Sequence, residues 1–519
     1  MLSNLHPLIL GLLPELTLVV GASLVLILGL FASKHSEVTW HLALLVIAGA
    51  VGASWYMSLN PAPVAGALLN DSMLWYARIV GLAVGLLILM VNRHVPEDGE
   101  RGEYFALLLF SLSGILLVAS ANDLILLFLA LEMVSVPTYI LVGLSRRDIR
   151  AQEATGKYFF LGAFAAALTL YGFSFLYGVS GTMRLFAVGD GPSIAAALSR
   201  PGALADAWVL IGVLLTLSGL AFKIAAVPLH FYVSDVYQGA ASPITGMLGF
   251  VPKFAGFLAV MRLLSLTGWV YSEGLFWLLW ALAAVTMTVG NTLALWQNNV
   301  KRMLAYSSIA HSGYMLVGLV AGPGRADSSS PLRNGLTAVF FYMVVYGVMN
   351  LGAFAALSFF RKDGEEAEDS AETLDDLAGC AKRHPWASLA LALCVLSLMG
   401  LPPTGGFVGK LYLFSAALAA TEGSAHETAM LVLVVIGVLN SAIAAAFYLR
   451  IIAAPYLRSP VVAIRPSRCP TLAAALAVCS VIVLAVFFWP STVFDKARLG
   501  VSDARLKAAA PTQLAGPDR

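Results

Sequence analysis

The sequence predicts an all-α polytopic membrane protein of about fourteen transmembrane helices, with two inverted five-helix repeats in which helices 7 and 12 are discontinuous. Three observations lead there. The 519 residues are 59% hydrophobic and only 12% charged, against about half apolar and about a quarter charged in soluble domains. Apolar runs long enough to cross a hydrocarbon layer roughly 30 Å thick recur along almost the whole chain. Two of these runs are broken by proline and glycine, at matching places in two successive blocks of five.

The runs fall at about 8–31, 40–58, 73–92, 105–121, 123–144, 157–178, 207–233, 243–267, 272–296, 301–322, 335–360, 385–418, 429–452 and 471–489. The fourth and fifth are divided only by Asn122-Asp123, a turn signal. Fusing them would reverse every later crossing. Lys and Arg divide 17 to 5 between the loops that follow odd and even spans, with five more in the C-terminal tail. The positive-inside rule then assigns the odd loops to the cytoplasm and both termini to the exterior, with only the tail's charges running against it. The first run carries Glu15 and lacks a basic leader or small-residue cleavage site, so it is expected to be a retained span.

The expected organisation is a three-helix segment over 1–104, a first repeat over 105–267, a second over 272–452, a last helix within 453–490, and an exterior, largely disordered tail over 491–519. Residues 181–206, rich in Gly, Pro and Ser, read as an exterior loop. Asp363 to Asp376 packs eight acidic residues into a cytoplasmic loop. It reads as a solvated face, with a docking surface for a partner as the alternative.

Composition also removes several functions. A formal net charge of +2 without a basic, aromatic-interleaved patch argues against nucleic acid. Cys380, Cys394, Cys469 and Cys479 sit singly, without the spacings that hold zinc, haem or an iron–sulfur cluster. No phosphate-binding glycine loop is present. Redox cofactors and nucleotides are therefore expected on other chains.

Four basic residues fall inside the runs: Arg78, Lys223, Lys253 and Lys410. Arg78 is five residues into its run, where snorkelling to the interface is expected. At 1.5 Å per residue, Lys253 is roughly 15 Å and Lys223 roughly 24 Å along its run, and Glu132 is roughly 13.5 Å past Asp123. Charges at such depth are costly unless paired or hydrated, and mark ion or proton paths. A Glu132–Lys223 pair could merely fix helix register, but that would leave Lys253 and Lys410 unexplained. Burial disfavours an ammonium and a carboxylate favours it, so a coupled set of such groups can hand protons along a dry path.

Lys223 and Lys410 lie beside the breaks in AFKIAAVPLHFYVSDVY and SLMGLPPTGGFVGKLYLF, made by Pro228 and by Pro402-Pro403 with Gly405-Gly406. Interrupted helices are tolerated at membrane depth where they line a polar cavity. Each break falls in the fourth helix of its block, spans 4–8 and 9–13, and an odd number of crossings per block inverts the second copy. His230 and His311 suit proton relay and packing equally. Lys301-Arg302 read as interfacial anchors, and Glu15 as a helix-end acid near the exterior interface.

These segments, with NDLILLFLALEMVSVPTYILVGLSRRD, EATGKYFFLGAFAAALTLYGFSFLYGVSGT, FKIAAVPLHFYVSDVYQGAASPITGMLGFVPKFAGF, NNVKRMLAYSSIAHSGYMLVGL and GLPPTGGFVGKLYLF, resemble the antiporter-like subunits of proton-pumping NADH:quinone oxidoreductase, respiratory complex I. LPELTL and the DDLAG loop make the pattern most similar to the subunit N class, from about residue 8 to 490. The resemblance implies fourteen helices with two inverted repeats in a bacterial inner membrane. It implies a switching pair Glu132 and Lys223, a relay at Lys253, and a connecting Lys410 where some relatives have Glu. NADH, FMN, iron–sulfur clusters and quinone would belong to partner subunits, peripheral and membrane, including neighbouring antiporter-like chains. The competing classes are a membrane subunit of a multi-chain cation/proton antiporter or membrane-bound hydrogenase, and a structural spacer.

Overall fold

The computed structural model describes residues 9–31, 37–60, 66–95, 100–200, 202–323, 331–362, 370–420 and 425–503. Twelve helices among them are long and apolar enough to cross a membrane: α1 (Leu13–Phe31), α2 (Val38–Leu59), α3 (Ser72–Val91), α4 (Arg101–Ser120), α5 (Leu124–Leu144), α6 (Ile149–Ser180), α9 (Ser242–Ser265), α10 (Glu273–Leu295), α11 (Val300–Ala321), α12 (Gly335–Phe359), α15 (Glu427–Leu457) and α16 (Pro470–Phe488). Four shorter helices form two interrupted pairs, α7 (Ala207–Lys223) with α8 (Val233–Gly239), and α13 (Pro385–Met399) with α14 (Gly405–Ala420).

Local chemistry sets the helix ends. Asp71, Asp123, Asp148, Asp206, Asn299 and Asn334 each cap a helix by accepting from a free backbone N–H of its first turn. The Asn122-Asp123 turn does two jobs. Asp123 caps α5, while buried Asn122 accepts from the Phe186 N–H at 2.9 Å and donates to the carbonyls of Gly66 and Phe186. That ties two loops to the end of the bundle, so the 181–206 loop is partly built in and carries a short helix, Ile194–Leu198.

Pro228 lies between α7 and α8, just after Lys223, and Pro402-Pro403 lie between α13 and α14, just after Gly400, which sits at φ +84. The Val227–Pro228 and Pro402–Pro403 peptide bonds are both cis. Gly406 lets the chain turn back against α13, since a Cβ there would lie 1.8 Å from the Ser397 carbonyl oxygen.

All 24 residues of α9 are buried, so the helix carrying Lys253 is surrounded by protein. α11 and α12 are nearly as enclosed, whereas α2 and α16 turn mostly outward. The helices are joined by one small element that the all-α reading omitted: β1 (Phe360–Lys362) pairs antiparallel with β2 (Ile464–Pro466), fastening the end of α12 to the stretch before α16. Residues 490–500, which the sequence reading put almost wholly in the tail, form α17 (Pro490–Gly500). Its Phe494 packs on Phe341 and Tyr412. The stretch beyond Ala508, and Asp363 to Asp369, lie outside the described residues.

Candidate functional site

Glu132 and Lys223 meet. Glu132 projects from α5 with its side chain 22% exposed; Lys223 is the last residue of α7 and its Nζ is 3.1 Å from Glu132 Oε1. Lys223 also donates to Ser135 Oγ, one turn beyond Glu132. Because α7 stops here, the ammonium sits at the partly negative C-terminal end of its own helix, which favours a cation.

Lys223 and Lys253 line a common cavity of about 10 Å³, with Tyr158, Tyr232, Tyr237 and Pro252 among its walls. That is about the space one water molecule needs, and the walls offer the polar partners such a water requires. Gly256, one turn beyond Lys253, allows the close approach, since a Cβ there would come 3.1 Å from the Lys223 Cβ.

Lys253 has no carboxylate partner among the described residues. It donates to Ser308 Oγ at 2.9 Å, Ser312 Oγ at 3.1 Å and the Ser308 carbonyl, and lies 5.8 Å from the centre of the Tyr346 ring. Hydroxyls both donate and accept, so this pocket can satisfy either an ammonium or a neutral amine. Tyr237 donates no charge but stands 3.3 Å from Ser308 Oγ, joining the cavity to the serines.

His311 is on the same face of α11, with one ring nitrogen 2.7 Å from the Tyr342 hydroxyl and the other 3.0 Å from that of Tyr448. His230 has a ring nitrogen 3.3 Å from the Pro228 carbonyl and its ring centre 4.8 Å from that of Phe231. Lys410 lies beyond His311, 4.7 Å from the centre of the Tyr314 ring, and donates to the Met399 carbonyl at 2.9 Å. Met399 ends α13, so Lys410, like Lys223, is seated on the negative end of a half-helix. Gly400 makes room for it: a Cβ there would be 2.9 Å from Lys410 Cδ. Glu132 and Lys223 are thus in contact, Lys253 adjoins them across the cavity, and Lys410 is separated from Lys253 by the His311 and tyrosine cluster.

Several sequence expectations are corrected. Arg78 does not snorkel; it is fully buried and forms a two-point ion pair, both contacts at 2.8 Å, with Glu15, which is the helix-end acid the sequence suggested but is buried against the bundle. Arg262, counted among loop charges, is buried and ion-paired to Asp71 at 2.5 Å. Lys301 is fully buried against Glu372 at 3.0 Å, so it is no interfacial anchor, while Arg302 is partly exposed and pairs with Asp235. The acidic loop is no uniformly solvated face, because Glu372 and Asp376 are buried whereas Asp375 is exposed.

Sequence reasoning missed Ser307, Ser308, Ser312, Tyr237, Tyr342 and Tyr448. The signal existed: in SSIAHSGY, small polar residues recur at helical spacing around His311 inside an apolar run.

A multi-span helical protein with ionisable side chains strung through its interior beside two interrupted helices has the construction of a membrane transport subunit. Comparison with known proteins makes this specific. The profile of the family described as NADH:quinone oxidoreductase/Mrp antiporter, TM, matches residues 121–444. The chain is 38% identical over 452 residues to NADH-quinone oxidoreductase subunit N of Trichlorobacter lovleyi, covering 86% of this chain and 87% of the relative. It superposes with TM-score 0.74 and 30% identity on a chain of respiratory complex I from Thermus thermophilus with bound aureothin, covering 93% and 98%. A chain of the Mrp complex from Dietzia, at TM-score 0.76 and 20% identity over 95% and 97%, shares the fold. The chain belongs to the NADH:quinone oxidoreductase/Mrp antiporter membrane family.

Proposed function

We propose that this chain is the proton-translocating subunit N of a proton-pumping NADH:quinone oxidoreductase, moving protons along Glu132, Lys223, Lys253 and Lys410. The observation that carries the reading is the Glu132–Lys223 pair opening on the cavity that Lys253 also lines. With Glu132 beside it, the Lys223 ammonium is stabilised by charge. When that carboxylate moves or is neutralised, the support is lost and a proton passes across the cavity to Lys253, whose serine partners accept either form. The His311 and tyrosine cluster links Lys253 to Lys410. The drive is electrostatic and comes from quinone reduction in partner subunits, which hold NADH, FMN, iron–sulfur clusters and quinone. Its neighbours in the membrane include further antiporter-like chains.

Counting each interrupted pair as one crossing brings the spans to fourteen. The repetition of spans 4–8 in spans 9–13 is supported by matching contacts, the first helix of each packing on its second and its fifth and the third on the interrupted fourth, and five crossings per block would invert the second copy. The charge bias of the loops supports exterior termini in a bacterial inner membrane. The 38% identity to a relative named NADH-quinone oxidoreductase subunit N, over 86% of this chain, supports the oxidoreductase reading over a cation/proton antiporter.

The test is Glu132→Gln and Lys223→Ala in the intact complex, with NADH-driven proton uptake measured in sealed vesicles. Assembly with reduced uptake is expected; assembly with unchanged uptake would leave the pair a static strut. Co-purification with NADH dehydrogenase activity separates the oxidoreductase from the antiporter.

A further inference from the structure

The acidic tract sends one carboxylate beneath the helices that carry the site. Glu372 Oε1 lies 2.6 Å from Arg146 and 3.0 Å from Lys301 Nζ. Its backbone is fixed from both sides: the carbonyl accepts from the Val300 N–H at 2.7 Å, and the Glu372 and Thr373 N–H groups donate to Asp376 at 3.0 and 2.8 Å. Asp376 is itself 3.2 Å from Lys362, and Ser370 Oγ is 2.8 Å from Ser242 Oγ. Lys301 donates onward to the carbonyls of Gln238 at 3.1 Å and Ala240 at 2.5 Å, at the end of α8.

One loop therefore holds the ends of four segments. Arg146 follows α5, which carries Glu132; Gln238 is in α8, which carries Tyr237; Lys301 opens α11, which carries Ser308 and Ser312; and Ser242 opens α9, which carries Lys253. Burial pushes the Glu372 carboxyl up, but Lys301 and Arg146 outweigh it and hold it below the usual range, so the clamp is charged at neutral pH. Glu372 makes no contact with Lys253 or Lys223, so its effect on them runs through the helix ends.

We propose that Glu372 is a positioning residue for proton transfer, clamping α5, α8, α9 and α11 at one end so that Tyr237, Ser308 and Ser312 stay in register with Lys253. This rests on the reading of Lys253 as a proton-transfer group.

The test uses the intact complex in sealed vesicles and reads protons taken up per NADH oxidised. Glu372→Gln is expected to lower that ratio clearly below wild type, because a buried ion-pair network loses its charged partner. Adding Ser242→Cys with Ser370→Cys, whose parent oxygens are already in contact, allows a disulfide across the loop when copper phenanthroline oxidises the two thiols. Oxidation is expected to restore uptake in the Glu372→Gln background, and dithiothreitol to remove it again. Wild-type uptake in Glu372→Gln overturns the proposal, and so does a loss that the disulfide leaves unrepaired, since the carboxylate would then matter in itself. If Glu372→Gln does not assemble, Glu372→Asp, which keeps the charge but shortens its reach, is read by the same outcomes. Lys253→Met run alongside separates the two failures: wild-type uptake there sinks the site reading, whereas lost uptake there with normal uptake in Glu372→Gln sinks only the clamp.

Discussion

Lys223 and Lys253 line the same cavity of about 10 Å³, but only Lys223 has a carboxylate within reach among the described residues. On the proposed reading, that asymmetry makes Lys223 the group whose charge is switched by moving Glu132, and Lys253 the group that receives the proton.

If the serines are what let Lys253 change state, removing them should impair transfer without unfolding α11. Ser308→Ala with Ser312→Ala deletes two hydroxyl partners of a buried ammonium. Hydrogen bonds to charged groups contribute about 1.5–3 kcal/mol each, so uptake should fall by at least about tenfold at unchanged assembly. Proton uptake with an entrapped pH dye checks this; an unaltered rate would mean the lysine is held by something else.

Room for Lys410 depends on a single missing side chain. Gly400→Ala adds a Cβ 2.9 Å from Lys410 Cδ at a backbone φ of +84, which should push the ammonium off the Met399 carbonyl and lower proton uptake. Gly52→Ala, where nothing lies within 4 Å, is the control and should pump normally. Equal uptake by the two would argue that the Lys410 contact is incidental.

Arg78 and Glu15 form a buried ion pair whose effect on stability can be tested. Arg78→Ala strands a buried carboxylate, a change that typically costs about 3–5 kcal/mol, and should lower the thermal unfolding temperature of the solubilised complex. Replacing both with apolar residues, Arg78→Met with Glu15→Leu, should recover much of that loss. A double variant no better than Arg78→Ala would show that the pair contributes more than its mutual neutralisation.

The loop over the helix ends should respond to acid in one direction only. Glu372 and Asp376 are held below the ordinary carboxylate range; burial opposes this, and it is overcome by Lys301 and Arg146 for Glu372 and by the backbone N–H groups of Thr373 and Glu372 for Asp376. A depressed folded value means their contribution to closure is complete above the ordinary values, 4.5 for Glu and 3.8 for Asp, and is lost as pH falls through the lowered ones. Hydrogen exchange of residues 370–379, corrected for intrinsic rate, should therefore stay protected from pH 7 to about 5 and loosen only below. Loosening already between pH 7 and 6 would contradict this.

Much of the architecture was legible because span length and proline chemistry are local. The runs at 123–144 and 335–360 correspond to helices Leu124–Leu144 and Gly335–Phe359, and both proline breaks interrupt helices. The mid-run charges Glu132, Lys223, Lys253 and Lys410 were legible from depth alone. What local pattern does not encode is the partner across the bundle. Arg78 near a run's start and Arg262 near a run's end both looked interfacial, yet Glu15, 63 residues away, and Asp71 bury them. Lys301 failed for the same reason, since Glu372 reaches it from a loop 71 residues on. The serine partners of Lys253 escaped because small hydroxyls inside an apolar run satisfy their own backbone as readily as a distant lysine.

The central claim is that protons cross this chain through Lys253. It is tested most directly by the number of protons taken up per NADH oxidised in sealed vesicles by the fully assembled complex carrying Lys253→Met. A ratio clearly below wild type is expected, because the cavity would then adjoin Lys223 with no second proton carrier. A wild-type ratio would contradict the account and reduce the buried lysines to structural charges.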